Sequence, residues 1–145
     1  MAFGTSGLYV ANWIDIIDAT QLAINLVGDT VKCAMYTDTL TPNFSSNTIY
    51  SATNEVSGAG YTAGGATLAS KTVTESPTGT LMFDAADVAF AASTITAARG
   101  AIVYDTTVSN SLIVAITFGA DYSTTAGTFT IQWSALGIFT IDLTP

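Results

Sequence analysis

The sequence contains no histidine, one cysteine and three basic residues, and each shortage removes a class of function. Without histidine, the Ser-His-Asp and Cys-His arrangements of nucleophilic catalysis and most zinc sites cannot be assembled. The lone Cys33 allows neither an intrachain disulfide nor a redox pair. Within Val31-Lys32-Cys33-Ala34-Met35 it reads as a buried apolar residue of a strand. Lys32, Lys71 and Arg99 stand against eleven carboxylates, for a net charge of −8, so there is no basic face with which to neutralise phosphates and nucleic acid is not an expected partner. Charged residues make up only 10% of the chain, against roughly 25% in an average soluble domain. Such a surface, rich in Thr, Ser, Ala and Gly, suits contact with other proteins.

Long hydrophobic runs are also missing. Mean hydropathy is high, at +0.47, yet Ala101-Ile102-Val103-Tyr104 and Leu112-Ile113-Val114-Ala115-Ile116 fall far short of the roughly 18 apolar residues of a spanning helix. Met1-Ala2-Phe3-Gly4 has neither the basic region nor the apolar stretch of a secretory signal. The strands are too few and too short for an outer-membrane barrel. The expectation is a soluble chain made in a cytoplasm, with no membrane partner.

What is present reads as a single β domain over residues 1–145, long enough to bury a core without a staple. Residues 1–28 form an N-terminal arm and helix, and residues 29–145 an antiparallel β-sandwich or barrel of seven or eight strands. In residues 8–19, Tyr9, Trp13, Ile16 and Ile17 follow helical spacing, with Asp15 and Asp18 off the stripe. Ser6 is the expected N-cap, and the Trp13 stripe is expected to seal one end of the core. Strands are predicted at residues 30–37, 67–75, 80–84, 88–91, 95–104, 112–118, 128–133 and 138–143. Hairpins are predicted across the Ser76-Pro77-Thr78-Gly79 turn, across residues 106–110 and across residues 134–137. Phe129, Ile131 and Trp133 alternate with polar residues, as do Phe139, Ile141 and Leu143, so one face of each strand is expected to be buried.

Few residues carry chemistry. Asp84 and Asp87 bracket two alanines and could in principle pair as glycosidase acids or hold a cation, but the spacing fits neither arrangement well. Turn-capping carboxylates are the simpler reading. Gly58, Gly60, Gly64 and Gly65 lack the Lys-Ser/Thr of a phosphate loop and read as the hinges of a long loop. Arg99, alone in an apolar run, is expected to pair with a buried carboxylate of its own chain, the alternative being an interface anchor. No catalytic residue, metal ligand or cofactor is expected.

Several blocks resemble segments of small virion proteins of tailed phages. They are Thr53-Asn54-Glu55-Val56-Ser57-Gly58-Ala59-Gly60-Tyr61-Thr62-Ala63-Gly64-Gly65-Ala66-Thr67-Leu68, then Phe83-Asp84-Ala85-Ala86-Asp87-Val88, then Ile95-Thr96-Ala97-Ala98-Arg99-Gly100-Ala101-Ile102-Val103-Tyr104-Asp105. The last runs from Gly127-Thr128-Phe129-Thr130-Ile131-Gln132-Trp133 through Gly137-Ile138-Phe139. Together they cover roughly residues 30–143. The chain departs from the pattern in its sparse charge and in Phe90, where Trp is frequent. The resemblance implies a capsid decoration (cement) protein on the virion surface, contacting the major capsid protein and clustering as a trimer. Tail, baseplate or head-fibre components share such folds, and a carbohydrate-binding module using Tyr61 and Trp133 is a further alternative. Leu8, Tyr9, Trp13, Asn43, Phe44, Tyr50 and Tyr61 are the expected interface residues, because they are apolar or lie in the flexible loop outside the strand core.

Overall fold

A computed structural model describes residues 3–17 and 22–143. The elements are β1 (Gly7–Leu8), α1 (Val10–Ile17), β2 (Val31–Thr37), β3 (Ala66–Thr67), β4 (Thr72–Glu75), β5 (Thr80–Asp84), β6 (Val88–Asp105), β7 (Ser111–Ile131) and β8 (Phe139–Asp142). The fold is mainly β, as expected. Two antiparallel sheets, ordered β1-β7-β6-β2-β3 and β4-β5-β8, bury Val31, Cys33, Met35, Phe83, Val103 and Ile113 in a shared core.

The frame is one long hairpin. β6 and β7 pair from Val88↔Ile131 to Asp105↔Ser111 and turn across residues 106–110, where the hairpin is predicted. The sequence breaks near Ala92 and Thr94 suggest two separate strands. The ladder instead runs through them, with register shifts between Phe90 and Ser93 and between Ser93 and Ile95. Turn-forming residues inside a strand pattern thus mark bulges here.

Two further expectations fail for a common reason, a change of sheet. The predicted strand 67–75 is two strands. β3 adds to the edge of β2 through Lys32↔Thr67, whereas β4 pairs with β5 through Thr72↔Asp84. Between them Leu68 is buried and Ser70 takes a φ of 52°, so the chain turns out of one sheet and into the other. The hairpin predicted across residues 134–137 does not form. Phe129, Thr130 and Ile131 pair with β6, and the Ser134–Gly137 turn delivers β8 not to the other edge of β7 but to β5, as Leu81↔Ile141 and Phe83↔Phe139. Alternation identifies a strand and its buried face but does not name its partner.

The N-terminal segment is integral to the fold. Gly7–Leu8 pairs with Ala115 and Val114, and Phe3 is fully buried. Gly100 makes room for it, since a Cβ there would lie 2.6 Å from the Phe3 ring and from the Ile116 carbonyl oxygen. Ser6 is not the helix cap. Its Oγ accepts the Thr117 N–H, and Tyr9 opens the helix by accepting the N–H groups of Asn12 and Trp13 on its carbonyl. Residues 18 and 19 of the predicted helix lie outside the described residues.

At the far end of the frame, Asp105 is fully buried. Its Oδ1 accepts the Thr107 and Val108 N–H groups at 2.7 and 3.1 Å, while its Oδ2 has no donor and faces the Asp29 carboxyl. Burial first, then the Asp29 carboxyl, hold the Asp105 pKa above the ordinary carboxylate range, against the opposing pull of the two N–H groups. A carboxyl that binds its proton more tightly when folded gives stability that is full below the unfolded pKa and is lost as pH rises through the folded one. Asp105→Asn keeps the acceptor and places a donor toward Asp29. At pH 7 it should raise stability by about 1 kcal/mol, the value of one net hydrogen bond. The difference should shrink toward zero near pH 3, which melting curves of both proteins across that range would test.

Candidate functional site

The residues expected at an interface divide sharply in the structure. Tyr9 is fully buried and offers no surface to a neighbour. Leu8 is half-buried within the sheet, and Trp13 packs edge-on against Phe139 at 5.4 Å while its Nε1 donates to the Ile113 carbonyl. Trp13 therefore closes one end of the core, as its stripe predicts. Phe44 packs against Tyr9, and Asn43 is exposed, with its Oδ1 accepting the Ser45 N–H.

Tyr50 and Tyr61 belong to an internal cluster centred on Glu55. Its Oε2 accepts the Tyr50 hydroxyl at 2.5 Å. Its Oε1 accepts the Tyr61 hydroxyl at 2.5 Å and the Gly64 N–H at 2.7 Å. Tyr61 Oη in turn accepts the Met35 N–H, and Tyr104 stacks on Tyr50 at 4.5 Å and donates to the Gly64 carbonyl. Gly65 then crosses β2 so closely that a Cβ would lie 1.9 Å from the Cys33 oxygen, and its φ is +72°. Burial, followed by the nearby Glu55 carboxylate, pushes the Tyr104 phenol up to about 12 and raises Tyr50 and Tyr61 further. The cluster fastens the long loop between β2 and β3 to the sheet. No spacing rule in the sequence points to Glu55; the available signal is a loop that carries two carboxylates, Asp38 and Glu55, with two tyrosines flanking the second.

The remaining candidates have local roles. Asp84 Oδ1 accepts the Ala85 N–H, a cap within its own turn, whereas Asp87 Oδ1 accepts the N–H of Trp133 and so ties the start of β6 to the end of β7 rather than capping its turn. Among the described residues no group of three or more His, Cys, Asp or Glu side chains could hold a metal ion. Arg99 bonds Asp121 at 3.1 Å and lies 3.5 Å from Asp38, so it pairs within its own chain as expected, though with half-exposed rather than buried carboxylates. Cys33 is fully buried, which pushes its thiol up to about 12. No helix among the described residues is long and apolar enough to cross a membrane.

The unexpected feature is helix α1. Asn12 is 2% exposed and its Nδ2 donates to the Thr48 and Leu112 carbonyls, so a polar side chain faces inward. Val10, Ile14 and Ile17 are 51, 59 and 75% exposed. These positions are four and three residues apart and share one face of the helix. The sequence stripe assigned Ile17 to the core; the structure turns it to solvent because Asn12 and Trp13 fix the helix's rotation through their bonds to β7. Comparison of the chain with protein-family models, with curated proteins and with solved structures returned no match.

Replacing Glu55 with Gln leaves one acceptor oxygen where three donors converge. Glu55→Gln should destabilise the protein by roughly 1.5–3 kcal/mol, the range for a lost hydrogen bond to a charged group. Limited proteolysis should then cut between residues 38 and 65 first, and an unchanged melting temperature would rule out the anchoring role.

Proposed function

We propose that this chain is a non-catalytic structural subunit of a phage particle, a decoration (cement) protein that binds the assembled capsid shell. The observation that supports this reading is the solvent-facing row Val10, Ile14 and Ile17 on a helix that cannot rotate it inward. The sequence blocks that resemble small virion proteins supply the setting, with the major capsid protein as partner and a trimer as the oligomer.

The energetics suit such a role. Fully burying a Val or Ile side chain contributes about 1.5–3 kcal/mol, so covering this half-exposed row gives roughly 3–4 kcal/mol per copy. One contact of that size is too weak to hold a free subunit at ordinary concentration. Repeated at the joints of a shell and linked in a trimer, it becomes strong through effective concentration. A protein that binds only the assembled state stabilises that state by mass action. The net charge of −8 favours a neutral or basic surface opposite the helix.

Two measurements test the proposal. Quantitative mass spectrometry of purified particles should find the chain at a small-integer ratio to the major capsid protein, and a ratio near about one to a hundred would place it in the tail or at a vertex instead. The variant Ile14→Asp should melt within about 0.5 kcal/mol of the parent, as exposed substitutions do, yet fail to co-sediment with shells. Undiminished co-sedimentation would remove α1 from the interface.

A further inference from the structure

At the other end of β7 from the helix contacts lies an open groove of about 450 Å³, within the usual size of small-ligand sites. Its lining includes Thr128, Thr130 and Gln132, which are exposed, and Phe129 and Ile131, which are buried. A pleated strand sends these two sets to opposite faces, so polar and apolar residues both contribute to the lining. β6 pairs along one edge of β7; on the other, β1 pairs at Val114 and Ala115, and Ser6 Oγ accepts the Thr117 N–H.

The edge is strongly folded. Phe118 and Phe129 would stand roughly 36 Å apart in an extended strand, yet their ring centroids are 6.1 Å apart. Five residues of β7 span two of β6 between the Gly100↔Thr117 and Ala98↔Tyr122 pairs. Ala92, Ala97 and Ala126 carry φ values of 49, 54 and 48°, a left-handed conformation that costs a non-glycine residue stability. Hydroxyls replace broken ladder bonds, with Ser123 Oγ accepting the Ala97 N–H and Thr94 Oγ1 the Ala126 N–H. Bulges and strained residues gathered beside one cavity are a recurrent sign of a binding site.

The lining restricts the occupant. It contains no carboxylate, lysine or arginine, in a chain of net charge −8. The nearby Asp121 is already paired with Arg99. The side chains of Tyr122, Thr128, Thr130 and Gln132 make no hydrogen bond among the described residues, and Tyr122 is 52% exposed. An extended peptide or the β7 edge of a second copy needs a straight edge to pair with, and the fold of β7 denies it one. Uncommitted hydroxyls and an amide around aromatic rings suit a compact, neutral molecule that is dense in hydroxyls and has apolar C–H faces.

We propose that this groove binds neutral saccharide units, with Phe118, Tyr122 and Trp133 as the apolar contacts and Thr128, Thr130 and Gln132 as the hydrogen-bonding groups. The site is independent of where the chain sits in a particle. Trp133 is held by its Nε1 bond to the Ala86 carbonyl and is pre-positioned. Tyr61, the other aromatic of the carbohydrate alternative, is bound to Glu55 and takes no part.

The test is saturation-transfer NMR on the intact chain with maltotriose, cellotriose, chitotriose and lactose at millimolar concentration. Sialyllactose and an uncharged extended peptide serve as contrasting probes. At least one neutral saccharide should bind, and Tyr122→Ala and Gln132→Ala should each weaken it at least fivefold. Both positions are exposed, so melting temperatures should hold. The proposal is overturned if no neutral saccharide gives transfer, if sialyllactose or the peptide binds in preference, or if binding survives both substitutions unchanged.

Discussion

The pairing of β6 with β7 supplies the edges and carbonyls on which the rest of the chain is assembled. β2 is added along β6 from Val31↔Asp105 to Thr37↔Ala98, and β1 is added to β7 beside Val114 and Ala115. The helix has no long strand of its own to lean on. It docks through Tyr9, Asn12 and Trp13 onto the Leu112 and Ile113 carbonyls of β7. A substitution that slipped this ladder by one residue would exchange its buried and exposed faces and would misplace the helix with it. Near its turn the hairpin is buried on both faces, over Ala101–Asp105 and Ser111–Ala115, with one register shift between Val103 and Tyr104.

A chain with three cations cannot rely on ion pairs to organise its loops, and hydroxyls and aromatic rings do that work. The loop after β2 closes through one carboxylate, two phenols and a glycine N–H. The base of the hairpin closes through Ser93, Thr94, Ser123 and Thr124 hydroxyls. Such bonds satisfy backbone groups that bulges leave unpaired, at little cost in desolvation compared with buried charge. Asp105 is the exception that shows the rule: two N–H groups satisfy one oxygen, the other has no donor, and burial holds the Asp105 pKa above the ordinary carboxylate range.

The strands were legible because period-2 alternation and turn residues report local geometry. β5 matches its predicted bounds, and the turns at residues 76–79 and 106–110 are where the sequence puts them. Partners were less legible. Nothing local in residues 134–137 says that β8 will leave β7 for β5, because its partner lies more than fifty residues back along the chain, at Leu81 and Phe83. The helix was recognised and its Tyr9, Trp13 and Ile16 side lies inward, but Ile17 was assigned to the wrong face. Apolar residues occur on both sides of α1, and the deciding groups are the polar Asn12 and the indole N–H of Trp13, which a hydrophobicity pattern does not weigh. Of the expected interface residues, the apolar ones are mostly consumed inside the chain. The outward ones, Val10 and Ile14, sit one position away from Tyr9 and Trp13, the difference between the two sides of a helix.

The two ends of β7 therefore do different physical work. Toward its start, near-complete burial and the bonds of Asn12 and Trp13 hold α1 in one orientation, so its apolar row is presented rigidly and loses little entropy on contact. Toward its end, the ladder is interrupted and the strand folds back, which costs stability in positive-φ alanines. That cost persists only because the surrounding structure over-determines it, through Phe118 and Phe129 beneath and the hydroxyl bonds across the hairpin. Bulges also twist the edge away from other strands, which keeps a long, uncharged edge from pairing with its own copies. The same distortion thus guards against aggregation and leaves a pocket-sized hollow, and the first of these effects would favour it even before the second was put to use.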